Sequence, residues 1–357
     1  MEINFNKSYS SKEEEDRKKN IFDESLKTIS NHNLKFDSKE SSFKMGINQF
    51  ADKNIDDFNQ MVEIKPFVEN KLFEAVMKKE ISFKPLAIDI DDNATLPSSY
   101  DWRNYGAVTK VKDQKDCGIC YTIAALGSLE SHIFIKTGNL LELSIQEILD
   151  CGESYNTFGC DGGIGFRVFD YIKDKGISLE NDYPFTRSKK DCDLIPKRLK
   201  FPIKGYFRTV KNDETMLKRA LVSMGPLLVN LASNHESFMR YSSGIYYDPS
   251  VTSNDNITHS LLLVGYGSDD DIDYWIIKNS FGEAWGANGY IKLAINNRNN
   301  HMRTAFSAVC PVLDYNLEWD RAIRILKGVT IDEFLSILNF SENVNEKTRY
   351  QSINATN

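Results

Sequence analysis

The sequence predicts an α+β fold, in which a helical N-terminal segment precedes a helix-rich half and then a strand-rich half. Three observations carry this. Ile21, Phe22, Leu26 and Ile29 recur at spacings of three and four, one apolar stripe on a helix. A buried-type run from Thr122 to Leu129 continues to Thr137-Gly138, where the glycine is a stop signal. The runs Ser260–Gly265 and Tyr274–Lys278 read as strands.

The 357 residues suffice for one large domain or two ordinary ones. Hydrophobic residues at 41% and charged residues at 27% describe a soluble globular chain, neither disordered nor membrane-embedded. A net charge of -7 argues against a nucleic-acid partner, whose binders carry a basic face. No apolar run is long enough to span a bilayer. No secretory signal is visible, because Met1 is followed at once by Glu2, Asn4, Asn6 and Lys7. No repeat or low-complexity tract appears.

Residues 1–95 are rich in lysine and glutamate and hold no cysteine. Ser11 with Glu14 fits a capping box at the start of the first helix. A second, short helix starts at Asn54 with Ile55, Phe58 and Met61 on one face. The acidic loop Asp89–Asp92, followed by Leu96-Pro97, marks a boundary and an accessible place to cut the chain. Residues 96–313 then form the main body, helical first and strand-rich later. In the tail, 314–357, Leu317, Trp319, Ile323, Leu326, Ile331, Phe334, Leu335 and Leu338 are spaced for one or two amphipathic helices.

Cys120 stands where the run Cys120-Tyr121-Thr122 opens a helix. Unpaired N–H groups and the helix dipole favour a thiolate there, and the thiolate is the nucleophilic form. The pair Cys117 and Cys120 also admits other readings: ordinary disulfide cysteines, a redox C-x-x-C, or half of a zinc site with Cys151 and Cys160. A catalytic cysteine needs a histidine and an orienting group. His259 precedes the apolar strand, and Asn279 follows the next one in Lys278-Asn279-Ser280. Adjacent strand ends can bring the two together, so that an amide oxygen fixes the imidazole tautomer. His32, His132, His235 and His301 lack such a setting and read as structural.

These residues resemble the papain family, especially its cathepsin L-like branch. The resemblance runs over residues 9–313. It includes Tyr100-Asp101-Trp102-Arg103, Gly159-Cys160-Asp161-Gly162-Gly163, and Trp285-Gly286 with Asn288-Gly289-Tyr290. It implies a papain-like two-domain fold, with a helical domain carrying the cysteine and a β-barrel-like domain carrying the histidine, preceded by a helical propeptide. It implies a latent cysteine endopeptidase that hydrolyses peptide bonds through a thiolate–imidazolium pair and a thioester acyl-enzyme, with Cys120 as nucleophile, His259 as base and acid, Asn279 as orienting amide and Gln114 in the oxyanion hole. No cofactor or metal is implied. No histidine-rich insertion of the dipeptidase kind is present. The partners implied are peptide and protein substrates, the propeptide as an internal inhibitor, and cystatin-type inhibitors, with the enzyme a monomer.

In the propeptide, Glu13, Arg17, Phe22, Ile29 and Asn33 fit the family's interrupted helical motif, with Ser25 where asparagine is usual. Gly46, Asn48, Phe50 and Asp52 fit its second motif. An ion pair between Glu13 and Arg17 is expected to help hold the segment. Gly162 and Gly163 resemble the backbone edge that pairs with substrate. Ile164, Gly165, Ile257, Ser260 and Ser307 fall where the family lines its pocket for the residue two before the cut, which suggests an aliphatic or aromatic preference.

The resemblance also implies disulfides Cys117–Cys160 and Cys151–Cys192, leaving Cys310 over. Val251 and Met302 stand where a third pair is usual, which predicts a looser second domain. Two disulfides imply a lysosomal or secreted protein, and sequons at Asn93, Asn256, Asn339 and Asn354 fit that setting. Four departures surround the site. Ile119 replaces a small residue, Tyr121 and Phe281 replace tryptophans, and Thr258 replaces an aspartate. Phe281 is expected to shield the His–Asn contact less well than tryptophan. These departures leave a weakened or inactive homologue with a binding role as the alternative.

Overall fold

The computed structural model describes residues 7–62, 90, 95–193, 201, 203–210, 212–251, 255–295 and 300–313. The acidic loop apart from Ile90, the segment after the second helix, three of the four sequons and the expected tail helices lie outside them.

Helix α1 spans Lys12–Asp37. Ser11 caps it, its hydroxyl accepting the Glu14 N–H at 3.2 Å. The Glu14 carboxylate turns back onto the N–H and hydroxyl of Ser10, at 2.8 and 2.6 Å, so the reciprocal arm of the box lands one residue early. The helix buries the expected stripe only in part, with Ile21 and Phe22 half-buried. Lys18, Ser25 and Ile29 are buried, whereas Leu26 is exposed. Polar anchors set this roll: the Ser25 hydroxyl donates to Ala51 O at 2.8 Å, and Lys18 reaches Asp57 at 2.7 Å. The ion pair expected between Glu13 and Arg17 is absent among the described residues. The buried cation is Lys18, one residue further on.

Strand β1, Phe43–Met45, pairs antiparallel with β5, Tyr241–Tyr246. Helix α2, Ile55–Val62, is capped by the Asn54 side chain and buries Phe58 completely.

The helical half holds α3 (Cys120–Thr137), α4 (Ile145–Cys151) and α5 (Gly165–Lys175). Gly138 ends α3 at φ 72°, a left-handed position that favours glycine. Leu126, Leu129, Ile133, Ile148, Phe169 and Ile172 form its core.

The sheet half comprises β2 (Tyr100–Asp101), β3 (Ile203–Arg208), β4 (Leu227–Leu231), β5, β6 (His259–Asp269), β7 (Ile272–Lys278), β8 (Tyr290–Ala294) and β9 (Val309–Leu313). With β1 the order is β1-β5-β8-β7-β6-β4-β9-β3, and β2 pairs with β6. Only β5 and β8 pair in parallel among these neighbours. Helix α6, Glu214–Met224, packs Leu217, Ala220 and Leu221 into the sheet core.

Strand β4 forms the seam. Successive side chains point to opposite faces of a strand. Leu227, Val229 and Leu231 accordingly enter the sheet core, while Leu228 enters the helical core. Its partner β6 places His259 opposite Leu231 and Ser260 opposite Asn230. The sheet half is packed at the two places where a third disulfide is usual in the family. Met302 is buried in its core and Val251 packs against that core.

Candidate active site

Cys120 is the first residue of α3, preceded by the fully buried Ile119. A disulfide from Cys117 to Cys160, with a Cα–Cα distance of 4.5 Å, braces the loop before it. Gly118 donates its N–H to Cys160 O at 3.0 Å, and a Cβ there would stand 2.5 Å from that oxygen. A second disulfide joins Cys151 to Cys192. With these four cysteines paired, the redox and zinc readings of Cys117 and Cys120 lose their partners. Cys120 and Cys310 are free and buried, and burial pushes the Cys310 thiol up.

Burial also pushes the Cys120 thiol up, to about 11. Against it act the backbone N–H groups of Ser260, Tyr121 and Cys120 itself, and the Ser260 hydroxyl. The helix terminus therefore favours the thiolate as the sequence suggests, but burial outweighs it in this closed form.

His259 opens β6 and is almost fully buried. Its Nε2 lies 2.9 Å from Asn279 Oδ1. That oxygen also accepts the Ser280 N–H at 2.7 Å, which fixes which way the amide faces. An amide oxygen only accepts, so Nε2 carries the ring proton. Nδ1 is then a lone pair, buried and without a hydrogen-bond partner among the described residues. Burial holds the ring down to about 4, opposed by the Asn279 bond. Burial thus acts against the charged form of both the cysteine and the histidine.

Phe281 stacks on His259, with centroids 4.8 Å apart and planes 11° from parallel. Phe50, Phe58 and Trp285 meet it edge-on. The smaller ring at this position is compensated by neighbours: Phe281 is 1% exposed and closes one face of the imidazole. Two of those neighbours come from the N-terminal segment, as does Gln49, whose side chain donates to Phe281 O. Thr258 is bound to the Ser233 hydroxyl at 2.9 Å and N–H at 3.1 Å.

Gln114 is fully buried. Its backbone N–H donates to Ser280 O at 2.8 Å, its Oε1 accepts the Ser280 hydroxyl, and its Nε2 donates to Cys117 O at 3.0 Å. These bonds lock the amide and leave the second Nε2 proton for a further acceptor. Ser280 therefore orients both Gln114 and Asn279, a role its position beside Asn279 could have signalled.

A buried strut ties β7 to α3. Lys278 Nζ donates to Thr109 O at 2.6 Å, Thr109 Oγ1 donates to Glu130 Oε2 at 2.7 Å, and Glu130 Oε1 accepts the Leu143 N–H at 2.9 Å. Burial lowers Lys278 to about 8, with Glu130 acting against the shift. Only context reveals these residues, since each alone is an unremarkable polar side chain in sequence.

Gly162 and Gly163 follow the turn Gly159–Asp161 and lead through Ile164 to Gly165, the first residue of α5. Gly162 has φ 109°, and a Cβ on Gly163 would lie 2.6 Å from the Tyr121 ring. Ile164, Ile257 and Ser307 are half-buried, and Ser260 is buried. Ser260 Oγ donates to Asn230 Oδ1 at 2.8 Å, and Asn230 Nδ2 donates to Ser307 O at 3.3 Å. Asn230 was not apparent from the sequence. Its one signal is a polar residue inside the apolar run of β4.

A profile described as "Papain family cysteine protease" matches residues 96–312. One described as "Cathepsin propeptide inhibitor domain" matches residues 3–58. A cathepsin L-like peptidase of Aedes aegypti is 38% identical over 88% of this chain and 91% of its own. Cathepsin L2 of Homo sapiens is 35% identical, over 84% and 86% respectively. The digestive procathepsin L 3 of the Tenebrio molitor larval midgut superposes with a TM-score of 0.77 at 33% identity, covering 87% of this chain and 96% of that one.

Proposed function

The chain belongs to the papain family of cysteine proteases, and from that premise we propose that Cys120 is the nucleophile and His259 its base and acid, with Asn279 aiming the ring and Gln114 binding the oxyanion. The protein is a cysteine endopeptidase made as a latent zymogen with a cathepsin-type inhibitory propeptide. The observation that carries the residue roles is the division of labour on His259. Asn279 holds Nε2 at 2.9 Å, and the buried Nδ1 has no hydrogen-bond partner among the described residues.

In the reaction, Nδ1 takes the proton of the Cys120 thiol. The sulfur attacks the scissile carbonyl, forming a C–S bond and an oxyanion. The Cys120 N–H, which has no carbonyl partner one turn earlier in the helix, and the spare Nε2 proton of Gln114 receive that oxyanion. Losing one such donor typically costs about 10²–10³ in turnover. As the C–N bond breaks, imidazolium protonates the leaving amine. Water, its proton taken by Nδ1, then hydrolyses the thioester and restores the thiol. Burial acts against the charged form of both groups in the closed form, which supports latency.

We assign residues 1–95 to the propeptide, 96–313 to the peptidase and 314–357 to a C-terminal extension. Gly162 and Gly163 would pair with the substrate backbone. The two disulfides support a lysosomal or secreted location. A monomer open to cystatin-type inhibitors is the corresponding partner reading. No observation favours an inactive homologue. Titration with an epoxide inhibitor after propeptide removal tests the assignment. One equivalent should label Cys120 and abolish peptide cleavage, and the Cys120→Ser protein should take none. An unlabelled Cys120 in a folded, processed protein would refute it.

A further inference from the structure

The Ser260 hydroxyl has one proton and two acceptors beside it, an amide oxygen and the Cys120 sulfur. On the side of the β4–β6 ladder that faces the helical half, Leu228 stands opposite Leu262 and Asn230 opposite Ser260. This face meets α3 closely, since a Cβ on Gly127 would lie 3.0 Å from Leu262 Cδ2. Cys120 stands two turns before Gly127 on α3, and Ser260 stands one inward position before Leu262 on β6. The two therefore meet where both elements begin, and the Ser260 N–H and hydroxyl face the sulfur. Ser260 also lines a small cavity with Ile123 and Ala124, one turn beyond Cys120.

In the closed form Ser260 Oγ gives its proton to Asn230 Oδ1 at 2.8 Å. The Asn230 amide is held independently, through its own bond to Ser307 O. Asn230 is half-buried, so water can take over its oxygen when that proton turns away. The titratable side chains around this point are Tyr121 on α3, His259 beside Ser260 on β6, and Lys112, Glu130 and Lys278 round the cavity.

We propose that Ser260 is a further catalytic residue, whose hydroxyl turns from Asn230 to the Cys120 sulfur when the thiol gives its proton to His259. The proposal rests on the catalytic reading above. The thiol proton passes from sulfur to Nδ1, and the Ser260 proton stays on Oγ throughout. A hydrogen bond to an anion is stronger than one to a neutral amide oxygen, so the thiolate draws the hydroxyl and the thiol does not. When sulfur bonds to the carbonyl carbon its charge is lost, and the hydroxyl returns to Asn230.

Alkylation of Cys120 by iodoacetamide tests this, because it reports the thiolate without needing turnover. The processed enzyme is labelled across a pH series, and the label on Cys120 is read by peptide mapping. Ser260→Ala should move the thiolate midpoint up by about one pH unit. Ser260→Thr keeps the hydroxyl and should keep the wild-type midpoint. Asn230→Ala removes the competing acceptor and should move the midpoint down, by about half a unit. A purely structural role for the pair would move both alanine variants the same way. If Asn230→Ala does not fold, the two serine variants decide alone. An unmoved midpoint in Ser260→Ala, an equal shift in Ser260→Thr, or no downward shift in a folded Asn230→Ala overturns the proposal. Peptide cleavage by the same samples separates it from the catalytic reading. Shifted midpoints without cleavage by the wild type support the donor and refute the catalytic roles. Cleavage with an unmoved midpoint refutes the donor alone.

Discussion

The two halves that carry the proposed catalytic residues are held together by different means. The helical half presents Cys120 from α3 and carries both disulfides, Cys117–Cys160 and Cys151–Cys192. The sheet half presents His259 and Asn279 and has no disulfide among the described residues. Its core is aromatic instead, with Trp275, Trp285, Phe238, Tyr241 and Tyr246 fully buried. The buried apolar side chains described in the N-terminal segment fall on one side of this division. Ile29, Phe43, Met45, Phe50, Phe58 and Val62 belong to the sheet core, and the buried helical core includes no residue before Cys117. The half without crosslinks is thus the one that borrows packing from the propeptide.

The largest expected effect breaks this comparison at the propeptide. Fully burying one such side chain contributes about 1.5–3 kcal/mol, and six are involved. A protein refolded without residues 1–95 should lose amide protection across β5, β7 and β8 while α3 to α5 stay protected. Hydrogen exchange read segment by segment checks this, and uniform loss across both halves would contradict it.

A smaller pair of effects sharpens it. Replacing Cys151 and Cys192 together by serine should cost about 2–5 kcal/mol and loosen only the helical half. Met302→Ala should cost a similar 2–5 kcal/mol through the cavity it leaves and loosen only the sheet half. Denaturant melts of the Cys120→Ala background, with reductant and without, should then separate. Reductant should weaken the Met302 variant further, and add little to the double serine variant beyond opening Cys117–Cys160.

What could be read from the sequence follows the range of the signals. The bounds of α3 were legible because Gly138 acts within its own turn. His259 and Asn279 were legible because each marks the end of a strand visible as an apolar run. The roll of α1 was not, because Leu26 looks more apolar than Lys18, and only the contact with Asp57, 39 residues away, makes Lys18 an inward residue. Asn230 was hidden for the same reason, since its meaning comes from a cross-strand partner 30 residues on. Phe281 read as a poor shield because Phe50 and Phe58, which reinforce it, belong to a different segment.

The smallest effect concerns how acid loosens the propeptide from the half it completes. Lys18 and Asp57 lie 2.7 Å apart, with side chains 10% and 28% exposed. Burial would raise the Asp57 carboxyl, but the Lys18 hydrogen bond and charge, with Lys53 and Arg17 nearby, hold it below its ordinary 3.8. A carboxylate with a lowered folded pKa contributes fully above its unfolded value and is lost as pH falls through the folded one. The window for this pair therefore lies below about pH 4. Lys18→Met should weaken the docking of α1 by about 1 kcal/mol or less at pH 7, and the variant should lose less than the wild type between pH 4 and pH 3. Exchange protection of α1 against pH, measured in the Cys120→Ala protein, reads this directly. If Lys18→Met instead abolished a loss of protection between pH 7 and pH 5, the pair would be the acid trigger itself. The expected result makes it one strut among several, because a single carboxylate that titrates so low cannot release the segment under milder acid.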